Sequence, residues 1–365
     1  WQISRDDLDK VLLREAGRAG AHLHRHASVR AVVPAEDDTL RVAYDERGYT
    51  RHVRANWVID CTGRSGLMSR AGSGRVAAGP RTMAIVGLWE RRPHWDLADE
   101  SHTCVESYPG GWAWSVPYSK TRRQVTVMLD PSRTDIARGH RLRMTYREEL
   151  ARTTMIRGMT GRAKFLGSPW ARDASSYESG APAHGRVLLA GDAASFVDPL
   201  SSFGVKKAMA SAWLAAVVAN TVLHDASMEA TALELLHARE RAMVAGLRRD
   251  LGVLSRDAAA AHPAGFWADR AGRDVVDGAG DPDVAALRAD EQVRTAFEAI
   301  RTRPTINLRP VSNVRCEPRP VVVADRVVLA DHLVAPAFPS GVRFIRSVDL
   351  LTLADIESAA GDHRA

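Results

Sequence analysis

The sequence has only three cysteines, Cys61, Cys104 and Cys316, far apart and without a C-x-x-C pair. That spacing indicates neither a zinc site nor a disulfide framework, and it fits a reducing cytoplasm. No uninterrupted apolar run approaches the roughly 18 residues of a membrane span, and the charged opening has no secretory apolar stretch, so no membrane partner is expected. Lysine is scarce: five of the 50 cationic residues are lysine, and the arginines are scattered among 44 acids. The formal charge of +6 therefore describes a solvated surface, without the clustered basic block that a nucleic-acid partner requires. No internal repeat is present. The chain opens on Trp1 and enters a helical pattern at once, which reads as a fragment of a longer protein.

What the sequence does have is enough apolar material, 45% of 365 residues, for a large domain and a smaller one. Ser4 followed by Asp7 reads as a helix cap, and Leu8, Val11, Leu12 and Leu13 repeat at helical spacing until Gly17 and Gly20. His22 to Pro34, Leu40 to Asp45 and His52 to Ala55 predict a small antiparallel meander with a turn at Glu46-Arg47-Gly48. Trp57-Val58-Ile59 predicts a buried parallel strand. Strands then dominate from Met83 to Asp130, a helix is expected over Arg141–Thr153, and a buried strand over Arg186–Ala190 leads to a long apolar helix from Val205 to Leu223. Helical sequence continues to about Leu254, and Ala258 to Asp283 is expected to be a loop boundary. Arg319 to Val334 reads as a hairpin and Val348 to Ile356 as a closing helix.

The stretch from Gly185 to Gly204 carries the chemistry. Gly191 and the following alanines let a ligand approach the backbone, and Asp192 offers a carboxylate to ribityl or ribose hydroxyls. Pro199, Ser201, Ser202, Gly204 and Val205 then open a helix whose unpaired NH groups favour negative charge. His22, His24 and His26 share a strand face on this reading and are expected to be solvent-exposed, not a metal site, for want of a completing ligand.

This segment resembles the second FAD motif of the hydroxylase-type (group A) flavoprotein superfamily, which also contains the tryptophan halogenases. Ser4-Arg5-Asp6-Asp7-Leu8-Asp9 resembles its R-x-x-L/F-D helix start, and Trp57 to Gly66 resembles the halogenase-like stretch VIDATGRSG. The resemblance implies an α/β fold with an FAD-binding Rossmann-like domain lacking its N-terminal part, an antiparallel substrate domain, and a helical C-terminal region. It implies FAD contacts from Arg5, Val29, Gly63, Gly191, Asp192, Pro199, Ser201, Ser202, Gly204 and Val205. The family's G-x-G-x-x-G motif is absent from the sequence; in family order it would precede Trp1. The division expected is 1–80 and 181–257 for FAD, 81–180 for substrate, and 258–365 as a separate region.

Gly111 to Pro117 resembles the halogenase signature W-x-W-x-I-P, and by strand alternation Trp112, Trp114 and Val116 share a face, so two indoles would wall a substrate channel. In tryptophan halogenases the turn read here as Pro199-Leu-Ser-Ser-Phe-Gly204 is P-L-E-S-T-G. Ser201 cannot serve as the glutamate base, and Phe203 offers a halide no hydroxyl. The preferred implication is a monooxygenase passing oxygen from a flavin C4a-hydroperoxide to an electron-rich aromatic substrate, small or tethered. A halogenase is the first alternative and a flavin-binding fragment without turnover the second. Trp112, Trp114 and Lys206 are the expected catalytic residues. Thr62-Gly63 stands where superfamily hydroxylases carry Asp-Gly, which points to a separate flavin reductase as electron source.

Overall fold

The structure is a computed structural model that describes residues 4–68, 74–134, 136, 140–263, 265–271, 291–302, 314–335, 338–345 and 348–352. By contact density the chain divides into two units, Trp1–Ala212 with Gly246–Val276, and Trp213–Ala245 with Asp277–Ala365.

The first unit begins with α1 (Arg5–Arg18), whose start is set by the Ser4 hydroxyl accepting the Asp7 amide at 3.4 Å and by two acids in the first turn. None of its residues is buried. The meander follows as β1 (Ala27–Pro34), β2 (Leu40–Glu46) and β3 (Tyr49–Ala55), all antiparallel. Arg47 and Gly48 turn the second hairpin with φ of 52° and 84°, the paired left-handed geometry whose twist suits a two-residue connection. The three histidines do not lie on a strand. Residues 22–24 have no regular structure and His26 is a turn residue with φ 61°, because β1 starts one residue later.

β4 (Val58–Asp60) pairs in parallel with β13 (Val187–Leu189), as expected of Val58 and Ile59, and β12 (Ala183–His184) adds an antiparallel edge. Val187 and Leu189 pack with Leu40 and Ala194 beneath the meander. A second small sheet joins β5 (Arg75–Ala77), β11 (Tyr177–Ser179) and β14 (Ser195–Phe196).

The large sheet is antiparallel in the order β10-β6-β9-β8-β7, from β6 (Met83–Glu90), β7 (Cys104–Tyr108), β8 (Gly111–Pro117), β9 (Arg122–Leu129) and β10 (Lys164–Asp173). The first four were legible as strands. β10 was not, because Gly167-Ser168-Pro169 interrupts its pattern where the register against β6 slips between Leu166 and Trp170. Ile85, Val125 and Val127 face α2 (His140–Ala151) and α3 (Met155–Thr160), packing with Leu142, Tyr146, Leu150 and Ile156. Burial of each large apolar side chain there contributes about 1.5–3 kcal/mol. Gly87 makes room for this packing, since a Cβ there would stand 2.6 Å from the Tyr146 hydroxyl.

The opposite face of the sheet carries Ala84, Val86, Trp112 and Met128, covered by Phe266 and Trp267. The Trp267 indole donates to the carbonyls of Tyr108 at 2.9 Å and Gly111 at 3.1 Å. The stretch expected as a loose boundary from Ala258 is therefore anchored at Phe266 and Trp267, both fully buried; residues 272–283 of that expectation lie outside the described residues. α4 (Gly204–His224) and α5 (Glu229–Ala261) follow the chemistry-bearing turn, α5 running seven residues past Leu254 because Ala258–Ala261 sustain the helix.

In the second unit, the hairpin β15 (Arg315–Val323) and β16 (Arg326–Ala335) extends to β17 (Phe338–Val342). Its turn is held on α4: Asn220 donates to the Asp325 carbonyl at 3.0 Å, and the Thr221 hydroxyl accepts the Val327 amide at 2.8 Å. The closing helix is corrected at its start, where β18 (Phe344–Ile345) pairs with β19 (Val348–Asp349) and helical turns begin only at Leu350; residues 353–356 lie outside the described residues.

Candidate functional site

A cavity of about 570 Å³ lies where α1, the loop after β4, the loop after β13 and the start of α4 meet. Each wall has a local cause. The carbonyl of Asp60 takes the Ala190 amide at 3.0 Å, tying the two loops together. The Asp60 carboxylate, almost fully buried, accepts Thr62 N at 2.9 Å and Met68 N at 2.9 Å and so shapes the loop that presents Gly63. Gly191 adopts φ 59°, a left-handed conformation that favours glycine. Its amide donates to the Ser211 hydroxyl of α4 at 2.6 Å, and a Cβ there would meet Ala208 at 3.1 Å. The Asp198 side chain caps a short 3₁₀ turn over Pro199–Ser201, accepting Leu200 N at 3.0 Å, and Ser202 turns the chain into α4 with φ 52°.

Nine residues singled out in the sequence line this cavity together: Arg5, Gly63, Gly191, Asp192, Pro199, Ser201, Ser202, Gly204 and Val205. Val29 stands apart, exposed on β1. Lys206 is exposed too, its ammonium 4.7 Å from the Phe203 ring, and is not among the lining residues. Its neighbour Lys207 is. Only 2% exposed, Lys207 donates from Nζ to the carbonyls of Gly191 at 2.9 Å and Ser195 at 2.7 Å, closing the Gly191–Ser195 turn upon itself. Sequence spacing distinguishes two adjacent lysines only when the helix start is known; Gly204 as the first helical residue turns Lys207 inward. Asp60, Ser211 and Tyr177, whose hydroxyl donates to the Asp192 carbonyl at 2.5 Å, also escaped the sequence reading because they act on the backbone of the turns.

Trp112 and Trp114 stack with ring centroids 4.6 Å apart, as residues on one strand face. They do not line the cavity. They pack in the apolar cluster with Phe266 and Trp267, and Phe196 and Leu200 of the turn segment border that cluster. The Asp192 carboxyl is pushed above the ordinary carboxylate range by burial, while the charges of Lys207, Arg64, Arg5 and Arg75 pull it back. Burial also raises the Cys61 thiol, which lines the same cavity.

Residues 2–244 match the family described as FAD binding domain. The chain belongs to the FAD binding domain family. FAD is its cofactor, and the family's fold, an α/β domain with an antiparallel sheet, is the one described above. Flavin-dependent halogenase armH3 of Armillaria mellea is 28% identical over 242 residues, 57% of this chain and 46% of that protein. Tryptophan 2-halogenase of Chondromyces crocatus is 24% identical over 230 residues, 61% of this chain and 44% of that protein. The chain thus spans about half the length of the curated relatives it matches. Among solved structures, CmlS, a flavin-dependent halogenase, superposes with a TM-score of 0.76 at 20% identity, over 95% of this chain and 69% of that one. The peptidyl tryptophan dihydroxylase QhpG superposes at 0.64 and 22% identity, over 98% of this chain and 73% of that one.

The cavity of this FAD binding domain fits part of such a cofactor. A Cβ at Gly63 or Gly204 would meet no protein atom within 4 Å, so the wall at both positions is open to a ligand. Asp192 supplies an acceptor for hydroxyls, while Arg5 is paired with Asp9 of the same lining at 3.3 Å and Lys207 is bonded to the turn it closes.

Proposed function

We propose that this protein is an FAD-dependent monooxygenase acting on an electron-rich aromatic substrate, either a small molecule or a side chain tethered to a carrier or partner protein. FAD, when bound, supplies the activation of molecular oxygen. The chain's own residues supply binding and exclusion of water. Asp192 would accept cofactor hydroxyls, Lys207 holds the turn that presents it, and Phe203, Val205 and Met209 give the cavity an apolar rim. On this reading residues 1–80 and 181–257 carry the cofactor and 81–180 the substrate, and electrons come from a separate flavin reductase in the same compartment, the cytoplasm. Among the described residues no helix is long and apolar enough to cross a membrane.

The observation that carries the oxygenase reading over halogenation is the cavity wall itself. Ser201 and Phe203 both line it; Ser201 cannot act as a carboxylate base, and Phe203, at the second position, offers no hydroxyl to a halide. Halogenation remains the second reading because the relatives named above are halogenases. The two separate in one assay: the reduced protein is mixed with oxygen and an added indole, with and without bromide, and products are weighed by mass spectrometry. Oxygen incorporation indifferent to bromide supports the proposal. Bromide-dependent bromination would replace it with the halogenase, and flavin binding without either product would leave a binding module.

A further inference from the structure

Buried polar side chains of the large sheet find partners on both faces. Toward α2 and α3, the Trp89 indole donates to the Tyr146 hydroxyl and that hydroxyl to the Val125 carbonyl, each at 2.9 Å, while the Ser115 hydroxyl accepts Arg123 Nε at 2.8 Å. On the other face the Trp267 indole donates to two carbonyls. Two groups on that second face are left over. Trp112 Nε1 and Thr126 Oγ1 belong to residues only 3% and 0% exposed, and neither has a hydrogen-bond partner among the described residues. Burying a polar atom without a partner costs about 1–3 kcal/mol, and a fold retains such a cost chiefly where a site serves something other than stability.

The register of the sheet brings the two groups together. Across β8 and β9, Trp112 pairs with Met128 and Trp114 with Thr126, so Trp112 and Thr126 are diagonal neighbours, a separation that aromatic side chains span. Trp114 is the neighbour they share: it stands directly opposite Thr126, and its ring stacks on Trp112. Because Trp114 is only partly buried, displacing this one ring opens a way to both groups. Val86 flanks Thr126 on the other side, within the same apolar patch. That patch reaches the flavin cavity, since Phe196 packs on it and also lines the cavity. The Trp95 indole nitrogen is unbonded too, but it packs in the cluster on the opposite face.

Donor and acceptor chemistry selects the ligand. An indole N–H only donates, so the atom that meets Trp112 must be an acceptor; a threonine hydroxyl both donates and accepts. An oxygen attached to an aromatic ring satisfies both, and the ring suits a patch walled by indoles. A free indole, whose one polar group is a donor, leaves Trp112 unbonded. We propose that Trp112 Nε1 and the Thr126 hydroxyl together hold the ring-attached oxygen of the aromatic substrate, as positioning residues beside the flavin cavity. As a statement about substrate this rests on the oxygenase reading, but binding requires no turnover, so the two fail separately.

The test is calorimetric titration of the whole chain, with and without FAD, using 4-methylphenol, 4-methylanisole, p-xylene and indole. In the parent, 4-methylphenol should bind about tenfold or more tighter than p-xylene, its methyl isostere, and tighter than indole. If 4-methylanisole keeps the gain, the oxygen serves as an acceptor alone; if it loses the gain, the phenol also donates to Thr126. Thr126→Val keeps the shape and removes the hydroxyl. It should erase most of the preference while the urea midpoint holds or rises, because an unbonded buried hydroxyl is lost, and Thr126→Ser should restore the preference. Trp112→Phe, which removes only the donor, serves as the second variant with the same expected loss. The proposal is overturned by no saturable binding of 4-methylphenol at millimolar concentration, by equal affinity for p-xylene, or by a preference that both variants leave intact. A midpoint that falls in Thr126→Val would overturn it as well, by showing the hydroxyl to be bonded within the fold. A preference for 4-methylphenol with no oxygenated product would sink the oxygenase reading and leave the binding pair standing.

Discussion

Replacing Lys207 with methionine tests the geometry of the turn most sharply, because the two side chains have similar reach and only the ammonium is lost. In the parent, Nζ donates to the Gly191 carbonyl at 2.9 Å and the Ser195 carbonyl at 2.7 Å, from a side chain 2% exposed. Hydrogen bonds from a charged donor contribute about 1.5–3 kcal/mol each. Part of that is offset, because removing the cation also removes the cost of keeping it out of water. The Gly191 carbonyl also keeps the Ala194 amide at 3.1 Å, which offsets part of the loss. A net destabilisation of about 2 kcal/mol follows, read as a lower urea midpoint by tryptophan fluorescence. Lys206→Met is the control: its side chain is exposed, and a change within about 0.5 kcal/mol is expected. Equal effects of the two substitutions, or no loss at Lys207, would refute the assignment of Lys207 as the clasp of the turn.

Three further outcomes follow from the packing and charges. Gly111→Ala would place a Cβ 1.8 Å from the Met128 carbonyl oxygen and displace the carbonyl that Trp267 bonds; a loss of about 4 kcal/mol or more, or no soluble protein, is expected in expression and melting trials. Tyr146→Phe removes the hydroxyl that donates to the Val125 carbonyl and accepts the Trp89 indole, each at 2.9 Å, at a cost of about 1–3 kcal/mol in chemical denaturation. Burial raises the Asp192 carboxyl, so its protonated form is the one the fold favours. That contribution is complete below the ordinary carboxylate range and is lost as pH rises through the raised folded value. Without cofactor, Asp192→Asn should therefore gain on the parent between about pH 4 and pH 7 in urea melts, and a variant that instead falls behind toward neutral pH would show the carboxylate to be net stabilised.

The parts of the site legible in the sequence are those whose chemistry is local. Gly191 and Asp192 follow a buried apolar strand, Pro199 to Gly204 mark a turn into a helix, and these positions converge as expected. Strand alternation likewise placed Trp112 and Trp114 on one face. What the sequence hid depends on contacts between distant segments. Nothing near Trp114 reveals that Phe266 and Trp267 fill the space beside the indole pair, more than 150 residues later in the chain. Which of Lys206 and Lys207 turns inward depends on the register of one helical start. Arg64 and Arg75 looked like two more arginines among many until Tyr177 brought them together.

The central claim is that the cavity around Asp192 holds the flavin, and its most direct test is FAD affinity of the parent and of Asp192→Ala, followed by flavin fluorescence. If the carboxylate accepts hydroxyls of the cofactor, affinity should fall by about 1 to 3 kcal/mol, roughly 5- to 150-fold, with the fold intact. Unchanged affinity would contradict the account and place the cofactor elsewhere.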